Sequence, residues 1–239
     1  MTDESPLLSS IPSLRYGFGD KRSLMPASLS EYRHTLAEKK QVHGTRIVEV
    51  THPGQICADA DGFYTRQSGI LLAVLTADCL PILFSRRDGK CIGVVHAGWR
   101  GLLDGIIERM ADQINHYDST ADWVVSIGPA ARSCCYQVSE ELVDTFLQTL
   151  PDIPPEVISP RERHLDLSAV AVHKIRQLGF YDVDIAGHCT ICTLSGEPEN
   201  GPRFKYTSFR RNSHRQKQDP MHPGIRGRNQ YSGLVIHQP

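Results

Sequence analysis

The chain has 239 residues, enough to bury a sizeable core in one large domain or two small ones. Its 40% hydrophobic and 22% charged residues, without a long low-complexity run, describe an ordinary globular protein. The formal net charge of −1 excludes a global attraction to nucleic acid or acidic membrane, and no stretch approaches the roughly 20 apolar residues of a membrane span.

The first residues, MTDESPLLSSIPSL, lack a basic start followed by an apolar run, so no secretory signal is expected and a cytoplasmic location is. In that setting the seven cysteines read as reduced thiols or ligands rather than a disulfide framework. Residues 1–14 read as a loose arm. Leu14–Phe18 predicts a first strand. Ser28–Lys40 is helix-compatible, with Leu29, Tyr32 and Leu36 on one face. Alternation over Thr45–Val50 predicts a half-buried strand, and Ala58–Phe63 a turn with a short strand.

The stretch Leu71–Arg109 organises the rest. Leu71–Leu75 reads as a buried strand, TADC as a turn, and the run through Phe84 as a second strand. A polar hairpin at Ser85–Lys90 leads to a third, Cys91–Val95. The segment His96-Ala-Gly-Trp-Arg-Gly then opens an amphipathic helix carrying Leu102, Leu103, Ile106, Ile107 and Met110. Beyond it come a buried strand (Trp123–Ile127), a helix (Glu140–Leu150) capped by Ser139, and a Pro-rich connector (Pro151–Pro160). His164–Ser168 introduces a helix that runs to Leu178, with Gly179 as its cap. Val183–Ile185 reads as a strand, Phe204–Asn212 as a basic polar loop, and Tyr231–Ile236 as the closing strand. Strands and helices interleave without regular alternation, which favours a mixed sheet with helices on its faces.

Cys79 and His96 lie at polar ends of buried strands, where a rigid scaffold holds reactive side chains, and His43 follows a polar run beside Gly44. Two imidazoles and a thiolate suit zinc, whose catalytic sites keep three protein ligands and an open position. The spacing is not diagnostic. Satisfied core residues, or a hydrolase with Cys79 as nucleophile and a histidine as its base, fit the same residues. Cys189-Thr190-Ile191-Cys192 is a lone CxxC, and Cys134-Cys135 reads as packing and turn. Trp99 is expected to pack the helix entry or to stack on a substrate. Gly128-Pro129 is expected to shape a pocket wall, with amides free to meet an anion.

Taken together, QVHG (Gln41–Gly44), LTADCLPILF (Leu75–Phe84) and GVVHAGWRGL (Gly93–Leu102) resemble the YfiH-like family, long labelled multicopper polyphenol oxidase or laccase domain. IGPAARSCCYQV (Ile127–Val138), LDL (Leu165–Leu167), CT (Cys189–Thr190), YTSFRRN (Tyr206–Asn212) and GRN (Gly227–Asn229) are similar to its later signatures, in family order. The resemblance implies one domain over residues 1–239, an α+β fold with a mixed-sheet α/β/β/α sandwich like that of certain cysteine hydrolases, and a metal site of His43, Cys79 and His96. It further implies phosphorolysis of adenosine, inosine, guanosine and methylthioadenosine, and deamination of adenosine. A copper phenol oxidase is the older reading, and a bacterial branch is described as editing peptidoglycan precursors. A non-catalytic zinc-binding protein is a further alternative.

Eleven histidines without one His-x-His pair argue against a multicopper centre and for zinc over copper. Deamination would need a proton shuttle, for which Asp78 is the candidate, with turn-capping as its other reading. Phosphorolysis would need an anion site, for which Arg100, Arg210 and Arg211 are the natural donors. The partners expected are a purine nucleoside and phosphate, with oligomeric state left open. Two departures from the family pattern stand out. Tyr16–Arg22 matches a family N-terminal motif only in part, with Arg22 in place of its arginine. Ser213–Ile225 is inserted between RRN and GRN, so 213–229 is expected to be a lid or a disordered loop.

Overall fold

The structure is a computed structural model and describes residues 3–196 and 203–237. In chain order it forms α1 (Pro6–Ser9), β1 (Leu14–Phe18), a 3₁₀ helix (Ala27–Thr35), β2 (Glu38–Lys40), β3 (Ile47–Glu49), β4 (Ile56–Asp59) and β5 (Gly62–Thr65). The centre is β6 (Leu72–Thr76), β7 (Leu80–Arg86), β8 (Ile92–Ala97), α2 (Trp99–Asp104), α3 (Ile106–Asn115) and β9 (Trp123–Ile127). The remainder is α4 (Glu140–Thr149), α5 (Pro155–Ile158), α6 (Leu167–Gln177), β10 (Asp182–Ile185), α7 (Phe209–Gln218) and β11 (Gln230–Ile236). No described helix is long and apolar enough to cross a membrane.

Two sheets carry the fold, a small antiparallel one and a large mixed one. One has three strands in the order β1-β11-β6, the other six in the order β10-β9-β7-β8-β5-β3, and β2 pairs with β4 apart from both. Strand alternation sorts side chains between layers. Leu80, Ile82 and Phe84 of β7 and Trp123, Val125 and Ile127 of β9 face the core beneath α3, α4 and α6. Leu83, Val94 and Val124 point the other way, against Leu72, Val74, Leu234 and Ile236 of the small sheet. The outer face of that sheet, Ala73 and Val235, packs Leu29 of the 3₁₀ helix. The layers therefore run helix, sheet, sheet, helices: a mixed α+β sandwich. Strands buried on both faces read as continuous apolar runs, which is why β6 to β9 fall where the sequence predicts them.

Several elements differ from expectation. The segment expected as a loose arm contains α1, capped by Ser5 Oγ accepting from the Leu8 amide at 3.1 Å, and Leu8 is fully buried. The helix expected over Ser28–Lys40 is 3₁₀ and stops at Thr35, giving way to β2. The helix after His96 is broken at Gly105, whose φ of +93° ends α2 before α3 restarts. The connector over 151–160 holds the short helix α5. The expected basic loop is the start of α7, which also takes in half of the expected insertion. Ser208 Oγ caps it, accepting from the Arg211 amide at 3.1 Å.

Candidate metal centre

Sheet register assembles the site. β8 lies between β5 and β7, antiparallel to both, with Gly62 opposite Val95 and Pro81 opposite His96. Asp61, just before β5, Cys79, just before β7, and His96, near the end of β8, thus meet at one end of three interior strands of the large sheet. The His96 amide donates to the Asp61 carbonyl at 2.7 Å, continuing the ladder by one bond. His43 arrives from the loop after β2. Gln41 anchors that loop by pairing its side-chain amide with both backbone groups of Leu75, each at 2.8 Å.

The ligand atoms of His43, Cys79 and His96 lie within 4.8 Å of one another, and the two imidazoles meet edge to face at 4.8 Å between centroids. His96 is buried, Cys79 half-buried and His43 exposed. Asp61, which nothing in ADADG singles out, holds the set together. Its Oδ1 is 2.8 Å from His96 Nδ1, and its carboxylate accepts from the amides of Val42, His43 and Gly44 at 2.9–3.0 Å. Those three bonds hold His43 at a φ of +60°, which a non-glycine residue adopts at a cost. Gly98 closes the site from behind. A Cβ there would sit 3.0 Å from His43 Cδ2 and 3.1 Å from Cys79 Sγ.

The charges are mutually supporting. Burial pushes the Cys79 thiol up, but the charge of His96 and hydrogen bonds from both imidazoles outweigh it and bring it to about 7. Burial likewise pushes His96 down, while the Cys79 thiolate and Asp61 raise it to about 9. Burial works against the Asp61 carboxylate too, yet donation from His96, Val42 and Gly44 holds it below the usual range. With Nδ1 committed to Asp61, His96 has only Nε2 left to offer, and a carboxylate on the far ring nitrogen is typical of metal-bound histidine. The donor set fits a metal ion: two imidazoles, a thiol brought to about 7, and an open side.

That open side is a cavity of about 1080 Å³, lined among others by His43, Asp78, Cys79, His96, Trp99, Arg100, Tyr136 and Arg210. Arg100 lies over Trp99, its guanidinium carbon 4.9 Å from the ring, and Arg210 lies over Tyr136 at the same distance. Arg210 also donates to the Gln137 carbonyl. Asp78 is buried at a φ of +100°. Its oxygens accept from Thr190 Oγ1 at 2.6 Å, Ser208 Oγ at 3.0 Å and the Arg210 amide at 2.7 Å, tying the start of α7 to the site.

Arg211 stands apart. Its guanidinium donates to the carbonyls of Thr190, Ile191 and Tyr206 and stacks on Phe204 at 3.9 Å, and it does not line the cavity. Arg22 lies outside the cavity too, its amide bonded to Asp20. The Gly128 amide, expected to face an anion, donates to Pro81 within the sheet at 2.9 Å. Ile225, Asn229 and Phe209, from the expected insertion and its flanks, do reach the cavity. Lys39 is a lining residue the sequence pattern does not mark. Burial brings its amine down to about 8, and it donates to the Ala73 carbonyl and faces the Phe63 ring at 4.4 Å.

A two-sheet α+β sandwich with two histidines and a cysteine at the floor of a cavity defines a protein with a mononuclear His₂Cys centre able to bind a metal ion. Comparison with known proteins gives the family. Residues 20–214 match the family described as multi-copper polyphenol oxidoreductase laccase, and the chain belongs to this YfiH-like family. A purine nucleoside phosphorylase of Haemophilus influenzae is 28% identical over 221 residues, 86% of this chain and 85% of that protein. Purine nucleoside phosphorylase RC0672 of Rickettsia conorii is 32% identical over 182 residues, 74% of this chain and 71% of its own length. The crystal structure of YlmD from Geobacillus stearothermophilus superposes with a TM-score of 0.73 at 26% identity, covering 98% of this chain and 94% of that one.

Proposed function

We propose that the protein is a zinc-dependent purine nucleoside enzyme. It would split adenosine, inosine, guanosine and methylthioadenosine with phosphate and deaminate adenosine. The observation that carries this reading is the opening of the His43–Cys79–His96 centre onto one cavity with Arg100, Arg210 and Trp99. Relatives named purine nucleoside phosphorylase supply the substrate class. A zinc ion held by these three residues would supply a Lewis acid that also acidifies water.

The chain's own residues do the rest. The guanidinium groups of Arg100 and Arg210 bind an oxyanion in fork geometry, and their stacking on Trp99 and Tyr136 fixes their planes. The two rings give the purine an apolar, polarisable wall. In phosphorolysis an oxygen of dihydrogen phosphate would bond to C1′ as the C1′–N9 bond breaks, and the proton that the phosphate gives up would leave with the base. In deamination a water oxygen adds at C6 and ammonia leaves. Three donors already occupy the Asp78 carboxylate, so we assign it to positioning α7 and Arg210 rather than to carrying a proton. Arg211, spent on three carbonyls, is assigned to holding the wall.

A second reading rests on one observation. Asp61, His96 and Cys79 form a chain of contacts in which the carboxylate backs the imidazole and the imidazole faces the thiol, as a cysteine hydrolase requires. Metal content and products from adenosine with phosphate separate the two. About one zinc bound through Cys79, with adenine and ribose 1-phosphate or inosine formed and both lost in Cys79→Ala, supports the nucleoside enzyme. Hydrolysis that survives chelation but not thiol alkylation would replace it with the second reading.

A further inference from the structure

Cys134 and Cys135, expected as packing residues, and the apparently lone pair Cys189 and Cys192 meet in space. The cause is topological. β9 and β10 are parallel neighbours, with Val124 opposite Asp182 and Ile127 opposite Ile185, so the loops that follow them leave the same edge side by side. The ladder is prolonged by a bridge between Ala130 and Cys189, in which the Thr190 amide donates to the Ala130 carbonyl at 3.0 Å. The Thr193 amide closes the CxxC turn on the Cys189 carbonyl at 3.2 Å.

All four sulfurs lie within 4.8 Å of one another, and Cys134 Sγ is 3.9 Å from Cys192 Sγ. Four thiolates around one zinc at ~2.3 Å stand ~3.8 Å apart along each edge of the tetrahedron. A disulfide needs ~2.05 Å, and an iron–sulfur cluster holds its cysteines further apart because several irons separate them. The surroundings of Cys189 suit a thiolate, while burial pushes the thiols of Cys134 and Cys135 up. Backbone N–H groups of Arg132, Ile191 and Cys192 donate to Cys189 Sγ, and the guanidinium groups of Arg132 and Arg211 lie close enough to feel its charge.

We propose that Cys134, Cys135, Cys189 and Cys192 form a second, tetrathiolate zinc site that clips the loop after β9 to the loop after β10. All four coordination positions are taken by protein, so the site is structural. What it clips is the cavity wall. Thr190, between two of its cysteines, donates to Asp78, and Arg211 donates to the Thr190 and Ile191 carbonyls. Tyr136, next to Cys135, carries Arg210 on its ring. This site stands on its own geometry and does not depend on the reaction proposed for the cavity.

The test is zinc content with zinc-edge X-ray absorption on the purified chain, its Cys79→Ala variant and a Cys189→Ser/Cys192→Ser double variant. Expected are about two zinc ions per wild-type chain and about one in Cys79→Ala, the latter in an all-sulfur shell. The double variant should hold about one, in a mixed nitrogen and sulfur shell. If the double variant fails to fold, the shell in Cys79→Ala decides alone, because those four cysteines are intact there. Cys79→Ala without zinc, a shell containing nitrogen in that variant, or an intact mass lower by the hydrogens of a disulfide would each overturn the proposal. So would a double variant that keeps the wild-type metal content.

Discussion

Asp61 Oδ1 stands 2.8 Å from His96 Nδ1, and the same oxygen accepts from the His43 amide at 3.0 Å. One carboxylate thereby orients the imidazole of one ligand and the backbone of another. Replacing it with alanine leaves His96 free to rotate or change tautomer and orphans three amides in the 42–44 turn, releasing the strained His43. Loss of a carboxylate that orients a metal-binding histidine costs roughly 10–100-fold in metal affinity. Asp61→Ala should therefore weaken zinc binding at the His43 site by about that factor and lower the melting temperature. Chelator competition reads the first effect and calorimetry the second; wild-type zinc affinity in the variant would remove Asp61 from the site's support.

Proton competition gives the centre a pH signature. In the metal-free site Cys79 ionises near about 7 and His96 stays protonated to about 9, held by the thiolate and Asp61 against their burial. Metal must displace whatever protons the ligands hold. Above about pH 9 neither is protonated and affinity at this site should be flat. Between about 7 and 9 one proton leaves His96, so the apparent affinity should fall about tenfold per unit of acidification. Below about 7 Cys79 adds a second proton and the slope should approach about a hundredfold per unit. Zinc titrations of the Cys189→Ser/Cys192→Ser variant across this range measure the slopes, and a single slope throughout would mean that the two groups do not titrate separately.

Much of this was legible in the chain. β6 to β9 are short apolar runs with polar ends, and their shortness between turn residues favours strand over helix. The three candidate ligands stand out because two lie at such ends. Asp61 does not, since an aspartate before glycine reads locally as a turn, and only strand register sets it beside His96. α7 was missed for a different reason: FRRNSHRQKQ has no apolar stripe, and its start is fixed by Ser208 and by Asp78, far away in sequence. The cysteine pairs are likewise joined only by the parallel pairing of β9 with β10. Local pattern reports burial, while long-range register decides which polar side chains meet.

Lys39 couples the cavity wall to folding. Burial brings its amine from the ordinary lysine value of 10.5 down to about 8, so the folded chain releases this proton more readily than the unfolded one. Between those two values the unfolded state binds more protons, and this group makes stability rise with pH. Below about 8 its full cost persists. Lys39→Met should be more stable than the wild type at pH 7 by about 1 kcal/mol, less than the full shift because the lost bond to the Ala73 carbonyl and the lost contact with the Phe63 ring offset part of the gain. The gap should close as pH rises from about 8 toward 10.5. Urea denaturation of both proteins at several pH values checks this, and a gap that is constant with pH would locate the cost in packing instead of charge.

Asp78 separates positioning from proton transfer. Its carboxylate accepts from Thr190, Ser208 and the Arg210 amide, and this last bond sets where the helix bearing Arg210 begins. In Asp78→Asn the amide nitrogen can accept nothing, so at least one of these bonds is lost while the size of the side chain is kept. A charge-assisted bond of this kind contributes about 1.5 kcal/mol, which corresponds to about tenfold in an equilibrium constant. If Asp78 positions the anion site, KM for phosphate should rise about tenfold with a much smaller change in kcat, and both limbs of the pH–rate profile should stay in place. If Asp78 carries the proton, kcat should collapse with KM nearly unchanged and one limb of the profile should disappear. Steady-state kinetics with inosine and phosphate across pH distinguishes the two, because an anchor acts through Arg210 and a shuttle acts on the base that leaves.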